Sequence, residues 1–276
     1  MNAGSQVGQE ARQVAESGPI KMLGRVGIVA YGVVHLLLAY LAIKVAIDGS
    51  SGGQKTDKGG ALQTLADQPG GKFLLWVIAV GLAALVLWQI AEAIWGHRGV
   101  WPERKRTKKR VVNVGQALIF AALAFSAFKI ATGGGAGSSG TQQSFTAKVL
   151  DMPGGQLLVG AVGVAIMVIA GLVIHHGITK RFTEDLDLGR ASMSARKTAI
   201  RLGQVGFTAV GIAYGVVGLL VVVAAAQHEP NKATGLDAAL KTLAAQPYGT
   251  ALLTVVALGL ACFGVYCLFD ARYRRG

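Results

Sequence analysis

The chain has 276 residues, of which 52% are hydrophobic and only 15% are charged. Soluble domains carry about 25% charged residues, so this composition excludes a typical soluble enzyme, and its high hydrophobicity excludes a disordered chain. The formal net charge is nevertheless +13. An apolar chain with a basic excess is typical of a bilayer protein whose loops on one side are rich in Lys and Arg.

Six stretches along the chain are apolar and long enough to cross a membrane as helices, which takes about 20 residues. They are apolar on all sides, whereas the strands of a membrane β-barrel alternate between apolar and polar residues. Helices are therefore predicted, because backbone polar groups must be satisfied within the lipid. The predicted spans are 26–48, 73–95, 111–132, 156–178, 203–226 and 250–270.

Lys and Arg are unevenly distributed between the loops. The loop 96–110 holds seven and the loop 179–202 holds six, whereas the other three loops hold six together. Basic loops stay in the cytoplasm, so both termini and these two loops are predicted to lie on the cytoplasmic side of the cytoplasmic membrane. The basic loops are also expected to contact anionic lipid headgroups. The cluster RKRTKKR at 104–110 borders a span and is interpreted as an anchor, not as a nucleic-acid site.

A motif recurs in the loops that join paired spans. Residues 61–71 read ALQTLADQPGG and residues 239–249 read ALKTLAAQPYG, so eight of eleven positions are identical. Residues 145–155 read FTAKVLDMPGG, which is a weaker copy. The sequence Ala-Tyr-Gly-Val-Val at 30–34 recurs at 213–217. The chain is therefore predicted to contain three copies of one two-helix unit.

Each unit crosses the membrane twice, so successive units have the same orientation. The predicted fold is an all-α membrane protein of three parallel hairpin repeats, pseudo-threefold about the membrane normal. The predicted segments are a cytoplasmic tail 1–21, a first repeat 22–100, a second repeat 101–180, a cytoplasmic linker 181–195 and a third repeat 196–276.

The loop motif itself predicts a short amphipathic helix. Its spacing places Leu62, Leu65 and Ala66 on one helical face, and Pro69 ends the helix. Such a helix is expected to lie at the outer membrane interface with its apolar side down. An elbow that returns the chain to the membrane is the favoured interpretation, and a ligand-binding lip on the outer surface is the alternative.

The threefold unit with its A-L-x-T-L-A-x-Q-P-x-G loops resembles the bacterial membrane family called domain of unknown function 1206. The resemblance covers about residues 22–275, with a clear motif in the first and third units and a degraded one in the second, where Asp151-Met152 precedes the proline. It implies three transmembrane hairpins and a membrane location, and it implies no activity.

Three ionisable residues fall at one register of the repeat, 23 residues after each loop proline. They are Glu92, His176 and Asp270. They are predicted to form a layer near the inner leaflet, at helix C-termini, where the helix dipole disfavours carboxylates. Arginines that begin the first helix of each unit are the predicted partners. These are Arg25, Arg110 and Arg201.

An ionisable group inside a membrane indicates a functional site by default, because burying charge there is costly. The favoured interpretation of the layer is nevertheless a set of salt bridges that lock hairpins together. An ion or proton gate in which His176 titrates near neutral pH is the alternative. His35 lies near the middle of the first span. It is expected to form a helix–helix hydrogen bond, and a polar pathway is the alternative.

The sequence predicts no catalytic residues, no cofactor site and no metal site, and hence no enzyme. Cys262 and Cys267 are five residues apart and face different sides of a helix. A scaffold or accessory subunit is favoured, which packs against other membrane proteins or assembles as a homo-oligomer. The alternative is a transporter or channel for a small solute, an ion or protons. A continuous polar cavity along the axis would favour transport, and a packed axis would favour a scaffold.

Overall fold

Six long helices account for the six predicted spans in this computed structural model, which describes residues 18–48, 58–95, 103–134, 146–229 and 235–274. Two short helices lie in the loops of the first and third units. In chain order the helices are α1 (Gly18–Asp48), α2 (Lys58–Ala66), α3 (Gly71–Trp95), α4 (Glu103–Ala131), α5 (Gly155–Ile178), α6 (Met193–Gln227), α7 (Leu236–Ala244) and α8 (Gly249–Tyr273).

Helix α6 begins about ten residues before the predicted span at 203. Ser192 caps it, because its side-chain oxygen accepts a hydrogen bond from the Ala195 backbone N–H at 3.2 Å. Residues 193–202, which include three basic side chains, are therefore helical and extend the apolar segment at its start. Composition alone therefore located the membrane-crossing part of this helix but not its full length.

Neighbouring long helices pack antiparallel along one continuous series. The order of packing is α4, α3, α1, α8, α6 and α5. Gly24 lies against Trp88 and Gly27 lies against Leu85, so α1 and α3 run in opposite directions. At the other end of the series, the missing side chain of Gly211 lets α6 approach Ile174 of α5 closely.

The second unit is open, unlike the other two. Helices α1 and α3 of the first unit pack together, as do α6 and α8 of the third, but among the described residues α4 and α5 share at most marginal contact. The apolar segments of these two helices are accordingly the least buried of the six, with 33% of the residues buried in α4 and 17% in α5. Each packs instead against the adjoining unit, α4 against α3 and α5 against α6. Gln89 of α3 donates a hydrogen bond to Gln116 of α4 at 2.7 Å within this contact.

The Pro-x-Gly turn of the repeat has a steric basis. A Cβ on Gly71 would overlap the Leu65 carbonyl oxygen, and a Cβ on Gly249 would overlap the Ala244 carbonyl oxygen. Gly155 stands in the same relation to Val149 in the second unit. Each turn therefore brings the start of a long helix directly against the end of the helical segment before it. Glycine at this register is required by space, which explains why all three copies retain it.

The two short helices have buried apolar side chains. Ala61 and Leu62 of α2 and Leu240 of α7 are fully buried. Helix α2 contacts α1, α3 and α4, and α7 contacts α1, α6 and α8. Both helices therefore pack against the long helices, while their position at the outer membrane interface stays a prediction.

The loop after α5 folds back onto the same bundle. It forms two short 3₁₀ turns, Arg181–Asp185 and Leu188–Arg190. Phe182 is 1% exposed, and Gly203 of α6 leaves room for its ring. The Asp187 backbone N–H donates to the Tyr273 carbonyl oxygen at 2.6 Å, which fastens the loop to the end of α8. The segment 181–195, which was predicted as a cytoplasmic linker, therefore contributes Phe182 and Leu186 to the core.

Candidate functional site

Two repeat-related tyrosines meet in the interior of the bundle around one lysine. Tyr31 of α1 and Tyr214 of α6 occupy the same place in the two Ala-Tyr-Gly-Val-Val copies. The Lys58 Nζ at the start of α2 donates to the Tyr214 Oη at 3.0 Å and to the Tyr31 Oη at 3.5 Å. It also lies over both rings, 5.1 and 5.7 Å from their centroids. We call Lys58, Tyr31 and Tyr214 the axial cluster.

Lys58 is held in its charged form. Burial by itself lowers the pKa of a lysine, because the ammonium loses its water. Electrostatic attraction to Tyr214 and Tyr31, together with hydrogen bonds to them, outweighs burial and holds the pKa of Lys58 above its ordinary value. The hydrogen bonds to the two phenol oxygens thus favour the ammonium form of Lys58.

His35 lies beside the axial cluster and is 2% exposed. Its Nδ1 donates to the Tyr31 carbonyl oxygen of the preceding turn at 2.9 Å. The ring lies 4.3 Å from the Tyr31 ring and 4.8 Å from the Phe263 ring, both edge-to-face. The expected helix–helix hydrogen bond is therefore replaced by a bond within α1, while the ring itself makes the contact between helices.

An aromatic series extends from the axial cluster to the loop after α5. Tyr31 contacts Phe120 of α4 at 5.0 Å between ring centroids, and Phe263 of α8 contacts Phe207 of α6 at 5.1 Å. Phe207 in turn stacks on Phe182 at 5.3 Å. Rings from all three units therefore fill the middle of the bundle, and the loop residue Phe182 closes the series.

The three residues of the predicted ionisable layer lie near the ends of α3, α5 and α8. His176 is half-buried and lies edge-to-face against Phe207 at 5.1 Å. Asp270 accepts a hydrogen bond from Arg274 Nη1 at 3.0 Å through its Oδ2, while its Oδ1 is buried without a hydrogen-bond partner. Glu92 is half-buried on α3. His176 and Asp270 both lie near the loop after α5, because His176 and Tyr266, one turn before Asp270, each contact the Phe182 ring.

The three predicted arginine partners lie on α1, α4 and α6. Arg110 Nη2 donates to the Ile94 carbonyl oxygen at 3.0 Å and so caps the end of α3. Arg25 lines a groove of about 680 Å³ between α1 and α8, together with Arg272. Arg201 is exposed on α6.

Asp270 pairs with Arg274 instead of one of the three predicted arginines. The two residues lie one turn apart at the end of α8, so the ion pair forms without crossing to another helix. The Arg274 guanidinium also lies over the Trp88 ring at 4.7 Å. This contact ties the end of α8 to α3.

Metal-binding groups are absent from the described ranges, where no three His, Cys, Asp or Glu side chains lie close enough together to hold an ion. Cys262 and Cys267 are free thiols on α8. The chemistry that the described residues do offer is that of the axial cluster, which combines one cation with two hydroxyl groups.

Sequence reasoning identified His35 but missed the axial cluster. The signal for Tyr31 and Tyr214 was present, since the tyrosine is the polar member of an otherwise apolar pentapeptide repeated in two units. Lys58 carries a weaker signal, because it precedes the loop motif by three residues and the third unit has Leu236 at that register. Its position became evident only from the burial of α2.

Three segments of the chain match the family described as Domain of Unknown Function (DUF1206): residues 26–96, 111–180 and 205–274. The chain is also similar to Uncharacterized protein YxxB of Bacillus subtilis (strain 168), with 32% identity over 255 residues that cover 92% of this chain and 91% of the relative. No solved structure matches it. The three matched segments coincide with the three repeats, each of which carries two of the long helices. This multi-pass chain of six apolar helices is therefore a member of the DUF1206 family.

Proposed function

We propose that this protein is a scaffold or accessory subunit of the cytoplasmic membrane. The observation that carries the proposal is the filled middle of the bundle. Tyr31, Phe120 and Phe263 come from the three different units and are in ring contact there. A protein interior packed in this way is rigid and resists opening a passage. Such a core suits a protein that presents fixed helix faces to its partners.

The finer architecture that we propose is a pseudo-threefold bundle of parallel hairpins with its second hairpin opened. Contacts of one kind support it, because the second helix of each unit packs against the first helix of the next. These contacts are α3 with α4, α5 with α6 and α8 with α1. The opened second unit leaves the apolar faces of α4 and α5 for lipid or for a partner protein.

The proposed orientation places both termini in the cytoplasm. Its support is the excess of Lys and Arg in the loops 96–110 and 179–202. Cytoplasmic basic residues would also attract anionic lipid headgroups, at about 1 kcal/mol for each Lys or Arg near the surface. In this orientation α2 and α7 enter the bundle from the outer side, and Phe182 closes it from the cytoplasmic side.

Deletion of the chromosomal copy tests the scaffold proposal. We expect the abundance or assembly of a specific membrane complex to fall in the deletion strain, as measured by quantitative proteomics of membrane fractions separated by native size. Wild-type protein supplied from a plasmid should restore that complex. Purification of the tagged protein from native membranes should recover a component of the same complex. An unchanged set of complexes, with the tagged protein recovered as a lone monomer, would contradict the proposal.

A transporter or channel is the second candidate, and the polar residues of the interior favour it. Lys58 begins the outer-side helix α2, and His35 lies beside it on the side of Phe263, as polar residues of a binding site in a closed carrier would. The measurement is flux of protons and small ions into liposomes that contain the purified protein. Flux above that of empty liposomes, abolished by Lys58→Met but retained by Lys72→Met, would support transport. Equal flux in protein-containing and empty liposomes would exclude these ions as substrates.

The proposed proton gate is tested in the same liposomes. The double variant Glu92→Gln and Asp270→Asn removes both carboxylates of the predicted layer and retains their shape. A gate requires the proton flux to change. Unchanged flux together with a lower melting temperature would show that these residues stabilise the bundle, through contacts such as the Asp270–Arg274 pair.

A further inference from the structure

The axial cluster contains hydrogen-bond donors that its own members do not use. Both tyrosine oxygens accept hydrogen bonds from the Lys58 ammonium, so each phenol O–H must point away from it. Within the described ranges, no acceptor takes either phenol proton. A lysine ammonium has three N–H groups, and two of them donate hydrogen bonds to the two tyrosine oxygens. Two O–H groups and one N–H group are therefore available within a few ångströms of each other.

The charge of the cluster is also unbalanced by its described neighbours. The groups in contact with the Lys58 ammonium are the oxygens and ring faces of two neutral phenols. The carboxylates in described salt bridges pair with other cations: Asp237 with Lys241, Asp270 with Arg274, and Asp151 with His228. A cation withdrawn from water ordinarily has a charged partner, because an unpaired charge away from water is costly.

The surroundings add further positive potential. Helix α2 begins at Lys58, so the positive end of its dipole lies at the cluster. The Phe120 and Phe263 rings each meet the Tyr31 ring edge-to-face and form an apolar wall beside it. The site thus combines one cation, two neighbouring O–H donors and an apolar aromatic wall. Proteins use this combination to hold small anions.

We propose that Lys58, Tyr31 and Tyr214 bind one small monovalent anion, a halide or a short carboxylate such as formate. The ammonium supplies the charge, and the two phenol O–H groups supply directional hydrogen bonds. The two tyrosines belong to the first and third units, so the bound anion would link these units through the interior. This site goes beyond the scaffold role and does not depend on it, because an anion can be held structurally without crossing the membrane.

The test uses the purified full-length protein in nanodiscs of zwitterionic lipid, in gluconate buffer at constant ionic strength. Gluconate is replaced stepwise by chloride, bromide or formate, and the melting temperature and the line width of the ³⁵Cl NMR signal are recorded. We expect a saturable rise in melting temperature, since a ligand that binds only the folded state stabilises it. The halide and formate series distinguish the two kinds of anion.

Three variants assign the response to the cluster. The double variant Tyr31→Phe and Tyr214→Phe retains the lysine and both rings but removes the donors, and it should weaken the apparent affinity by at least about tenfold. Lys58→Met should abolish the response. Lys72→Met, which removes an exposed lysine at the start of α3, should respond as the wild type does.

Two results would overturn the anion site. One is a folded wild-type protein that shows no saturable response to any of the three anions. The other is a response of equal size in the wild type, the Phe double variant and Lys58→Met, which would indicate a general salt effect. If Lys58→Met does not fold, the comparison of the Phe double variant with Lys72→Met decides the question, because the Phe variant keeps the packing of the rings. Partner proteins play no part in these measurements, so their outcome is separate from that of the scaffold test.

Discussion

Single residues at the loop turns show how the repeat tolerates change. The residue after each loop proline has a positive φ, at +77° in Gly70, +78° in Gly154 and +62° in Tyr248. The third unit thus places a tyrosine in a conformation that costs a non-glycine residue about 1–2 kcal/mol. The next position is glycine in all three units, because its Cβ would overlap a carbonyl oxygen. Strain is tolerated at the first position, whereas overlap is excluded at the second.

Two adjacent alanine substitutions should therefore differ sharply. Gly70→Ala meets no atom within 4 Å and should cost only about 1 kcal/mol, from its positive φ. Gly71→Ala drives its Cβ into the Leu65 carbonyl oxygen and should cost about 3 kcal/mol. Unfolding by denaturing detergent, monitored by circular dichroism, gives the two free energies. Equal losses in the two variants would contradict the steric account of the motif.

Among the elements, the loop after α5 has the least expected role. It carries charged residues such as Arg181, Glu184 and Asp185, and such a composition is typical of the linker that the sequence predicts there. Phe182 and Leu186 are nevertheless 1% exposed and belong to the main core. The two apolar side chains face the bundle while the charged ones remain exposed. The loop therefore closes the helix bundle where α5 ends.

Removal of the Phe182 ring should test this closure. Phe182→Ala leaves a cavity among Phe207, Tyr266 and Gly203 and should cost about 3–5 kcal/mol of unfolding free energy. The matched control is Phe125→Ala, because Phe125 is 68% exposed on α4 and should cost less than about 1 kcal/mol. Unfolding in detergent micelles followed by near-UV circular dichroism compares the two. A loss as small as that of the control would mean that the loop is not part of the cooperative core.

The whole molecule departs from the symmetry of its sequence. Three units of one pattern would be expected to form three equal hairpins, yet the second unit is open between α4 and α5. The repeat register shows the difference directly. Ala30 and Gly81 approach each other in the first unit. The equivalent positions of the second unit are Val114, which is 51% exposed, and Ala165, which is also exposed.

Cysteine cross-linking should distinguish these units. In a background with Cys262 and Cys267 replaced by alanine, the pair Ala30→Cys and Gly81→Cys should cross-link with a short bifunctional reagent. The register-equivalent pair Val114→Cys and Ala165→Cys should remain uncross-linked within one chain. Protease cleavage in the 133–155 loop followed by gel electrophoresis detects a cross-link in the second pair. Efficient cross-linking there would show a closed second hairpin and restore the threefold arrangement.

The sequence by itself determined the number of spans, the repeat and its family. These features depend on local composition and on self-similarity within the sequence. A stretch of about 20 apolar residues in lipid forms a helix, because its backbone polar groups must be satisfied there. The three glycines of the Pro-x-Gly turns belong to the same class, because the overlap that requires them lies within a few residues of chain. The ionisable register of Glu92, His176 and Asp270 was also visible, although their partners were not.

Only the tertiary structure decided which charges and helices meet. Asp270 pairs along its own helix with Arg274, Arg110 caps α3, and Lys58 reaches Tyr214, which is 156 residues away in sequence. Such contacts depend on the packing of whole helices. Hydropathy does not predict that packing, because a helix face toward lipid and a helix face toward protein are equally apolar. For the same reason the open side of the second unit, whose apolar faces resemble those of its neighbours in composition, could be found only in the folded chain.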